Sequence, residues 1–358
     1  MGIFVSFMVL SALIIFHEWG HFLAARYFKV TVEEFGLGMP IFITKPLFQK
    51  KWGETTYSFY PILLGGFVRM KGQDDFDLSK KSTDETSYTA KKPWQKIVIS
   101  LAGPFANILL AFLLYVAIAY IGSEKLAPVI GGIGENSPAS KAGIMIGDKI
   151  LSVNGESVVT WTQMGDIIKD SQGALALGVD RNGKFQALTL TPHIAESKNV
   201  FGETIQKRLI GIAPKGEFVT LQFNSVGELM SHAWSETVWA TTLIVQSVQK
   251  LIQGAIPADQ MGGIISIMDV TSQAHAIGIA TLLSLMALIS VNLGVLNLLP
   301  IPALDGGHVM FNLYEMIFKR VPSEKAFYYM TLGGWAFLLS LMAFTTYNDI
   351  LRLIGGSS

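Results

Sequence analysis

Two histidines and a glutamate stand together near the start of the chain, in His17-Glu18-Trp19-Gly20-His21, inside an apolar run that begins at Ile3 and resumes with Phe22-Leu23-Ala24-Ala25. Their types and spacing suit metal-assisted hydrolysis. At roughly 100° per residue, helix positions four apart lie about 40° from one another, so His17 and His21 present neutral imidazoles to one ion. Glu18 stays free as a base toward a metal-bound water, which is the H-E-x-x-H arrangement of zinc hydrolases. Polar groups at membrane depth cost roughly 2.5–3.5 kcal/mol for a charged residue even on the lenient insertion scale, so they are seldom kept without a use.

Such a site needs a third ligand. Far along the chain, Val291-Asn292-Leu293-Gly294-Val295-Leu296-Asn297-Leu298-Leu299 runs into Pro300-Ile301-Pro302-Ala303-Leu304-Asp305-Gly306-Gly307-His308. The two prolines must break a helix and the glycines let the chain turn tightly beside Asp305, whose carboxylate is the natural third ligand. Glu33, Glu34 and Glu54 are other acidic candidates, but none has this context. His308 fits a supporting role better than a ligand role. A metzincin continuation is excluded, because it would need Gly and His where this chain has Ala24 and Tyr27.

The elements that must position these residues are membrane helices. Half of the 358 residues are hydrophobic and 15% are charged, with no cysteine and a formal net charge of zero. With a mean hydropathy of +0.43, this is the composition of a polytopic α-helical membrane protein. There is no basic field to attract nucleic acid and no thiol to bind metal or form disulfides. Spans are expected at about 3–28, 97–121, 277–299 and 327–354, each long enough to cross a bilayer core of roughly 30 Å. The start of the chain lacks a signal peptide's basic stretch and cleavage site, so the first span is expected to be retained. Lys45, Lys50, Lys51, Arg69, Lys71, Lys80, Lys81, Lys91 and Lys92 put the segment after the first span in the cytoplasm. Both termini then lie outside, and the third span delivers Asp305 to the cytoplasmic side, where His17 and His21 already are.

Four regions follow from these spans. Residues 1–122 form a transmembrane core with two spans and an intervening cytoplasmic segment. In that segment, Thr56-Tyr57-Ser58-Phe59-Tyr60 and Phe67-Val68-Arg69-Met70 read as a hairpin-like β-loop around Pro61 and Gly65-Gly66, apolar enough to dip into the membrane and pair with an extended peptide. Gln73 to Lys92 reads as a mobile polar linker. Asn107, after Gly103-Pro104, is an amide that needs an interhelical partner.

Residues 125–215 have the composition of a β-rich domain outside the membrane. Pro138-Ala139-Ser140-Lys141-Ala142-Gly143 through Gly147-Asp148-Lys149-Ile150-Leu151-Ser152-Val153-Asn154-Gly155 resembles the PDZ signature of bacterial proteases. A second helix closing at Asp166–Ser171 and strands at Gln186–Thr191 and Leu209–Ile212 would complete it. Such a domain either captures peptide C-termini or acts as a steric filter. Residues 216–275 are expected to be amphipathic and to lie at the membrane surface, with Gln260–Ile267 partly inserted, and His232 and His275 read as surface histidines. Residues 276–358 complete the C-terminal transmembrane core.

Taken together, the histidine pentad, Gly103-Pro104 with Asn107, the PDZ stretch and the Asn297-to-Gly306 run resemble the site-2 protease family of intramembrane zinc metalloproteases, in its bacterial RseP-like branch. The resemblance implies Zn2+ held by His17, His21 and Asp305, with Glu18 as catalytic base. It implies substrate contacts at Asn292 and Asn297 and, in the β-loop, at Tyr57, Phe59, Phe67 and Val68. It further implies an inner-membrane enzyme that cuts transmembrane segments of single-pass proteins, such as anti-sigma factors in stress signalling or signal-peptide remnants. Well-known enterobacterial members have two tandem PDZ domains, and this chain has room for one. The alternative is a PDZ-bearing membrane scaffold or metal transporter without protease activity.

Overall fold

The computed structural model describes residues 2–40, 44–62, 65–73, 82–223 and 225–355. The chain opens with α1 (Gly2–Tyr27), β1 (Val32–Leu37), β2 (Phe48–Trp52), β3 (Thr55–Phe59), β4 (Gly66–Met70) and α2 (Pro93–Ile121). A β-rich stretch follows: β5 (Ser123–Leu126), β6 (Ile130–Ile133), α3 (Pro138–Lys141), β7 (Lys149–Val153), β8 (Glu156–Ser157), α4 (Trp161–Asp170), β9 (Leu175–Arg181) and β10 (Lys184–Leu190). It ends with β11 (His193–Lys198), β12 (Thr204–Leu209), β13 (Ile212–Pro214) and β14 (Phe218–Leu221). Helices α5 (Val226–Ile252), α6 (Ile264–Ile277), α7 (Ile279–Asn297), α8 (Asp305–Phe318) and α9 (Glu324–Gly355) close the chain.

Among the described residues, α1, α2, α7 and α9 are long and apolar enough to cross a membrane. They coincide with the four expected spans to within a few residues. Helix α2 starts at Pro93, a residue suited to a first helical turn because its missing N–H has no intrahelical partner there. Pro104 lies inside α2 without ending it. Helix α5 is amphipathic and carries Glu228 and Lys250 near its ends, as its mixed composition suggests.

Two compact units make up the chain: Met1–Ala117, Met230–Leu251 and Pro257–Ser358 form the first, and Ile118–Leu229 with Ile252–Ile256 the second. In the first unit, the N-terminal half of α1 packs on α6 and α7 through Val9, Leu13, Ala274 and Leu282. The other half meets a β-sheet and α2 in a core of Ala25, Val30, Val32, Val68, Met70, Tyr88 and Ile99. This core fixes the histidine-bearing turns of α1 between a sheet and a helix.

The sheet corrects the hairpin expectation. Its strand order is β2-β3-β1-β4, so β3 and β4 are not partners. Strand β1 lies between them, parallel to β3 with Phe35 opposite Tyr57 and antiparallel to β4 with Phe35 opposite Val68. Val32–Leu37 escapes a pattern reading because it carries Glu33 and Glu34. Glu34 is nonetheless buried, because Arg69 pairs with it at 3.0 Å and the Tyr60 hydroxyl donates to it at 3.0 Å. Burial and that bond hold the Tyr60 phenol above its ordinary pKa.

The expected linker is also corrected in part. Residues 74–81 lie outside the described residues, but the stretch that follows is packed: Tyr88 and Ser87 are buried, Lys71 pairs with Asp84, and Tyr88–Ala90 forms a 3-10 turn. The segment expected to be partly inserted, Gln260–Ile267, spans the end of a 3-10 turn at Ala258–Gln260 and the first turn of α6 after Gly263.

In the second unit, β10-β9-β7-β8 form one sheet, β13 pairs with β6, β14 pairs with β5, and β11 and β12 form a separate hairpin. Ile130, Ile150, Val153, Met164, Leu175, Leu177 and Val179 fill its core. Local signals explain its helices. The Ser137 side chain accepts from the Ser140 N–H ahead of α3, and Thr160 accepts from the Gln163 N–H at the start of α4. Asn154 and Gly155, both at positive φ, turn β7 into β8. The strand expected at Leu209–Ile212 is split, because Gly211 takes a positive φ of 79° and separates β12 from β13.

Candidate metal centre

His17 and His21 project from adjacent turns of α1 toward Asp305, the first residue of α8. The loop before α8 shows how it is delivered. Ala303 takes a φ of 91°, a conformation that costs a non-glycine residue on the order of 1–3 kcal/mol and persists only where the surroundings impose it. A side chain on Gly306 would run into the backbone of Leu298 and Leu299. The start of α8 therefore folds tightly back on the end of α7.

The donor atoms converge. His17 Nε2 lies 3.1 Å from Asp305 Oδ2, His21 Nε2 lies 3.3 Å from Asp305 Oδ1, and the two Nε2 atoms are 3.2 Å apart. In a tetrahedral zinc site with bonds of about 2.0–2.1 Å, neighbouring donors stand about 3.3–3.4 Å apart. The two imidazole nitrogens and the carboxylate, whose oxygens each face one of them, are spaced as donors to a zinc ion would be, and three protein ligands leave a fourth position for water or substrate. Tautomer chemistry agrees at His21, whose Nδ1–H donates to the Ile99 carbonyl at 2.8 Å and so leaves the Nε2 lone pair to face the other donors. At His17, Nδ1 faces the Asn107 amide at 3.2 Å.

A cavity of about 470 Å3 surrounds this cluster, and Glu18, Phe67, Val68, Tyr88, Asn297 and His308 are among the residues that line it. Strand β4, which brings Phe67 and Val68, is an edge of its sheet and, among the described residues, pairs with a strand on one side alone. The other two β-loop residues of the sequence reading lie elsewhere. Tyr57 packs on the rings of Phe22 and Phe35, and Phe59 is paired with Leu37 on one side and Phe48 on the other. Both belong to β3, an inner strand with no free edge. The two asparagines also separate. Asn297 lines the cavity and Asn292 does not, since five helix positions turn the chain by about 140° and two such residues cannot share a face.

The rival ligands are occupied or distant. Glu34 is held within the sheet, Glu54 pairs with Arg26 at 3.4 Å, and Glu33 is exposed on β1. His308 lines the cavity without joining the donor cluster. The sequence reading missed Tyr88, hidden in a polar stretch, and Trp335 of α9, which also lines the cavity. For Trp335 a signal exists in Gly333-Gly334, since small residues in an apolar helix mark close approach, and a side chain on Gly334 would strike the Pro302 carbonyl. Lys96 of α2 and Glu315 of α8 form an ion pair at 2.5 Å with both side chains buried.

Comparison with known proteins agrees with this chemistry. The profile of Peptidase family M50 matches residues 5–341. A protein of Campylobacter jejuni is 43% identical over 348 residues, covering 97% of this chain and 93% of its own. One from Helicobacter pylori is 36% identical, covering 98% and 99%, and one from Clostridium acetobutylicum is 34% identical, covering 98% and 97%. Each carries a name that places it among zinc metalloproteases. The chain thus belongs to peptidase family M50, the site-2 protease family, and is a zinc metalloendopeptidase with membrane-spanning helices.

Proposed function

We propose that His17, His21 and Asp305 hold the zinc ion and that Glu18 is the catalytic base of a protease that cuts within transmembrane segments of single-pass membrane proteins. The observation that carries this reading is the convergence of three donor atoms from α1 and α8 in a cavity bordered by the outer edge of β4. Zinc, when bound, supplies a Lewis acid that polarises water and the scissile carbonyl. Glu18, next to His17 and at the cavity wall, takes the proton of the attacking water and hands it to the leaving amine.

A helical substrate keeps its carbonyls in internal hydrogen bonds, so it has to open before attack. The outer edge of β4, which has no partner strand among the described residues, offers an extended segment a strand to pair with, and Phe67 and Val68 meet its side chains. Asn297 contacts the same segment, a role its position at the cavity wall supports.

The lysine-rich loop between α1 and α2 supports a site that opens toward the cytoplasm of a bacterial inner membrane, with both termini and the second unit on the outer side. The order of α3, β7, the Asn154-Gly155 turn and α4 supports reading the second unit as one PDZ domain, which takes peptide C-termini or screens substrates by size.

The test is Glu18→Gln. Zinc content should stay near that of the natural protein while cleavage is abolished, and proteolysis retained by the purified variant sinks the assignment. Membrane proteomes of cells carrying either form should differ by stubs that accumulate with Glu18→Gln, which would name the substrates.

A further inference from the structure

The two histidines differ in what stands behind them. His21 Nδ1 faces a backbone carbonyl, which only accepts. His17 Nδ1 faces the side-chain amide of Asn107 at 3.2 Å, an amide that either donates or accepts according to which end is turned toward the ring. Asn107 is fully buried in α2. Its backbone carbonyl accepts from Ser290 Oγ of α7 at 2.7 Å, which pins this turn of α2 against α7. With the amino group turned to His17, the buried Oδ1 has no hydrogen-bond donor.

We propose that Asn107 is a positioning residue for His17, accepting the Nδ1–H bond through its amide oxygen and so holding the ring in the tautomer that coordinates through Nε2. The inference rests on the ligand role given to His17 above. Nε2 is the atom that faces His21 and Asp305, so coordination through it leaves the ring proton on Nδ1, and the atom opposite must accept. The two ends of a carboxamide have nearly the same shape, and a half-turn of the amide exchanges them without moving the helix. That half-turn gives Oδ1 the donor it otherwise lacks. Asn107 then does for His17 what the Ile99 carbonyl does for His21, with a side chain in place of backbone.

The experiment uses the purified full-length protein, titrated with zinc against a chromogenic chelator. Asn107→Leu, similar in volume but without an acceptor, should weaken zinc binding about 10–100-fold. Asn107→Asp, whose carboxylate only accepts, should bind zinc at least as tightly as the natural protein. Nitrogen-15 spectra of the zinc-loaded natural protein and of Asn107→Asp should place the His17 proton on Nδ1 in both.

Natural affinity in Asn107→Leu overturns the proposal, as does a loss in Asn107→Asp equal to that in Asn107→Leu, or an unprotonated Nδ1 in the natural protein. If Asn107→Leu does not fold, the tautomer and the affinity of Asn107→Asp decide the matter. His17→Ala separates the two levels. Unchanged zinc affinity there removes the ligand assignment itself, whereas weakened binding in His17→Ala with natural affinity in Asn107→Leu removes this inference alone.

Discussion

At the candidate metal centre α2 packs directly on the ring of His21, and adding one methyl group at Gly103 tests whether that packing sets the ligand geometry. A Cβ at Gly103 would stand 2.6 Å from His21 Cε1 and 2.8 Å from Cδ2, and closer still to Nε2. Carbon atoms settle at about 3.5–4.0 Å, so the ring has to retreat by about 0.9 Å at Cε1 alone. It is held from behind by the 2.8 Å bond to Ile99 and faces Asp305 in front. Metal coordination tolerates departures of about 0.2 Å.

Gly103→Ala should therefore lower zinc occupancy and cut the cleavage rate on the order of 100-fold, the usual effect of a displacement near 1 Å. The overpacking itself costs about 1–3 kcal/mol of stability. Zinc content of the purified protein after dialysis against a zinc buffer, cleavage rate and thermal melting separate the two effects. Gly165→Ala in α4 is the matched control, since a Cβ there meets nothing within 4 Å and should stabilise by about 0.5–1 kcal/mol. Full zinc content with natural cleavage in Gly103→Ala refutes the reasoning.

Two further outcomes follow from ion pairs on the two units. Removing one partner of the buried Lys96–Glu315 pair, as in Lys96→Met, should cost about 3–5 kcal/mol, whereas the double change Lys96→Met with Glu315→Leu should recover most of it. A thermal or denaturant melt decides, and equal melts for all three proteins count against the pair. In the second unit, the Arg181 guanidinium holds the buried Asp148 carboxyl below its ordinary pKa. The folded state thus binds fewer protons than the unfolded one around pH 4, so this stabilisation is present above about pH 4 and is lost as pH falls below it. Arg181→Met should lower the melting temperature at neutral pH and flatten the acid-induced decline, and a parallel decline in both proteins contradicts the assignment.

The four long apolar helices and the three residues whose donor atoms converge were legible because their signals are local. A two-histidine spacing, long apolar runs, and a Pro-rich break before an aspartate each carry their meaning in a few adjacent residues. What escaped depends on partners distant in the chain. Strand β1 looks polar until Arg69 and Tyr60 are placed beside Glu34. Tyr88 sits in a run of charge and serine whose burial follows only once α2 and the sheet close around it. Lys96 and Glu315 are 219 positions apart, and neither has a neighbour that hints at the other. Asn292 and Asn297 are alike by residue type, and helical phase alone tells them apart.

The start of α6 is capped from a distance. The carboxylate of Asp349, in the last turns of α9, accepts from the backbone N–H groups of Gly263, Ile265 and Ser266 and from the Ser266 hydroxyl. Arg352 reaches the Asp259 carbonyl beside it. Helix α6 in turn packs on α1, where the Ser6 hydroxyl donates to the Met268 carbonyl at 2.9 Å. The residue that caps α6 is made 86 positions after Gly263, which at about 5–20 residues per second is a delay of roughly 4–17 s. During that interval the first helix of the chain waits for a partner whose own end is still uncapped. A capped α6 is therefore available to α1 only once Asp349 has been made, and a chain cut short before Asp349 would carry His17, His21 and Asp305 yet leave α6 uncapped against α1.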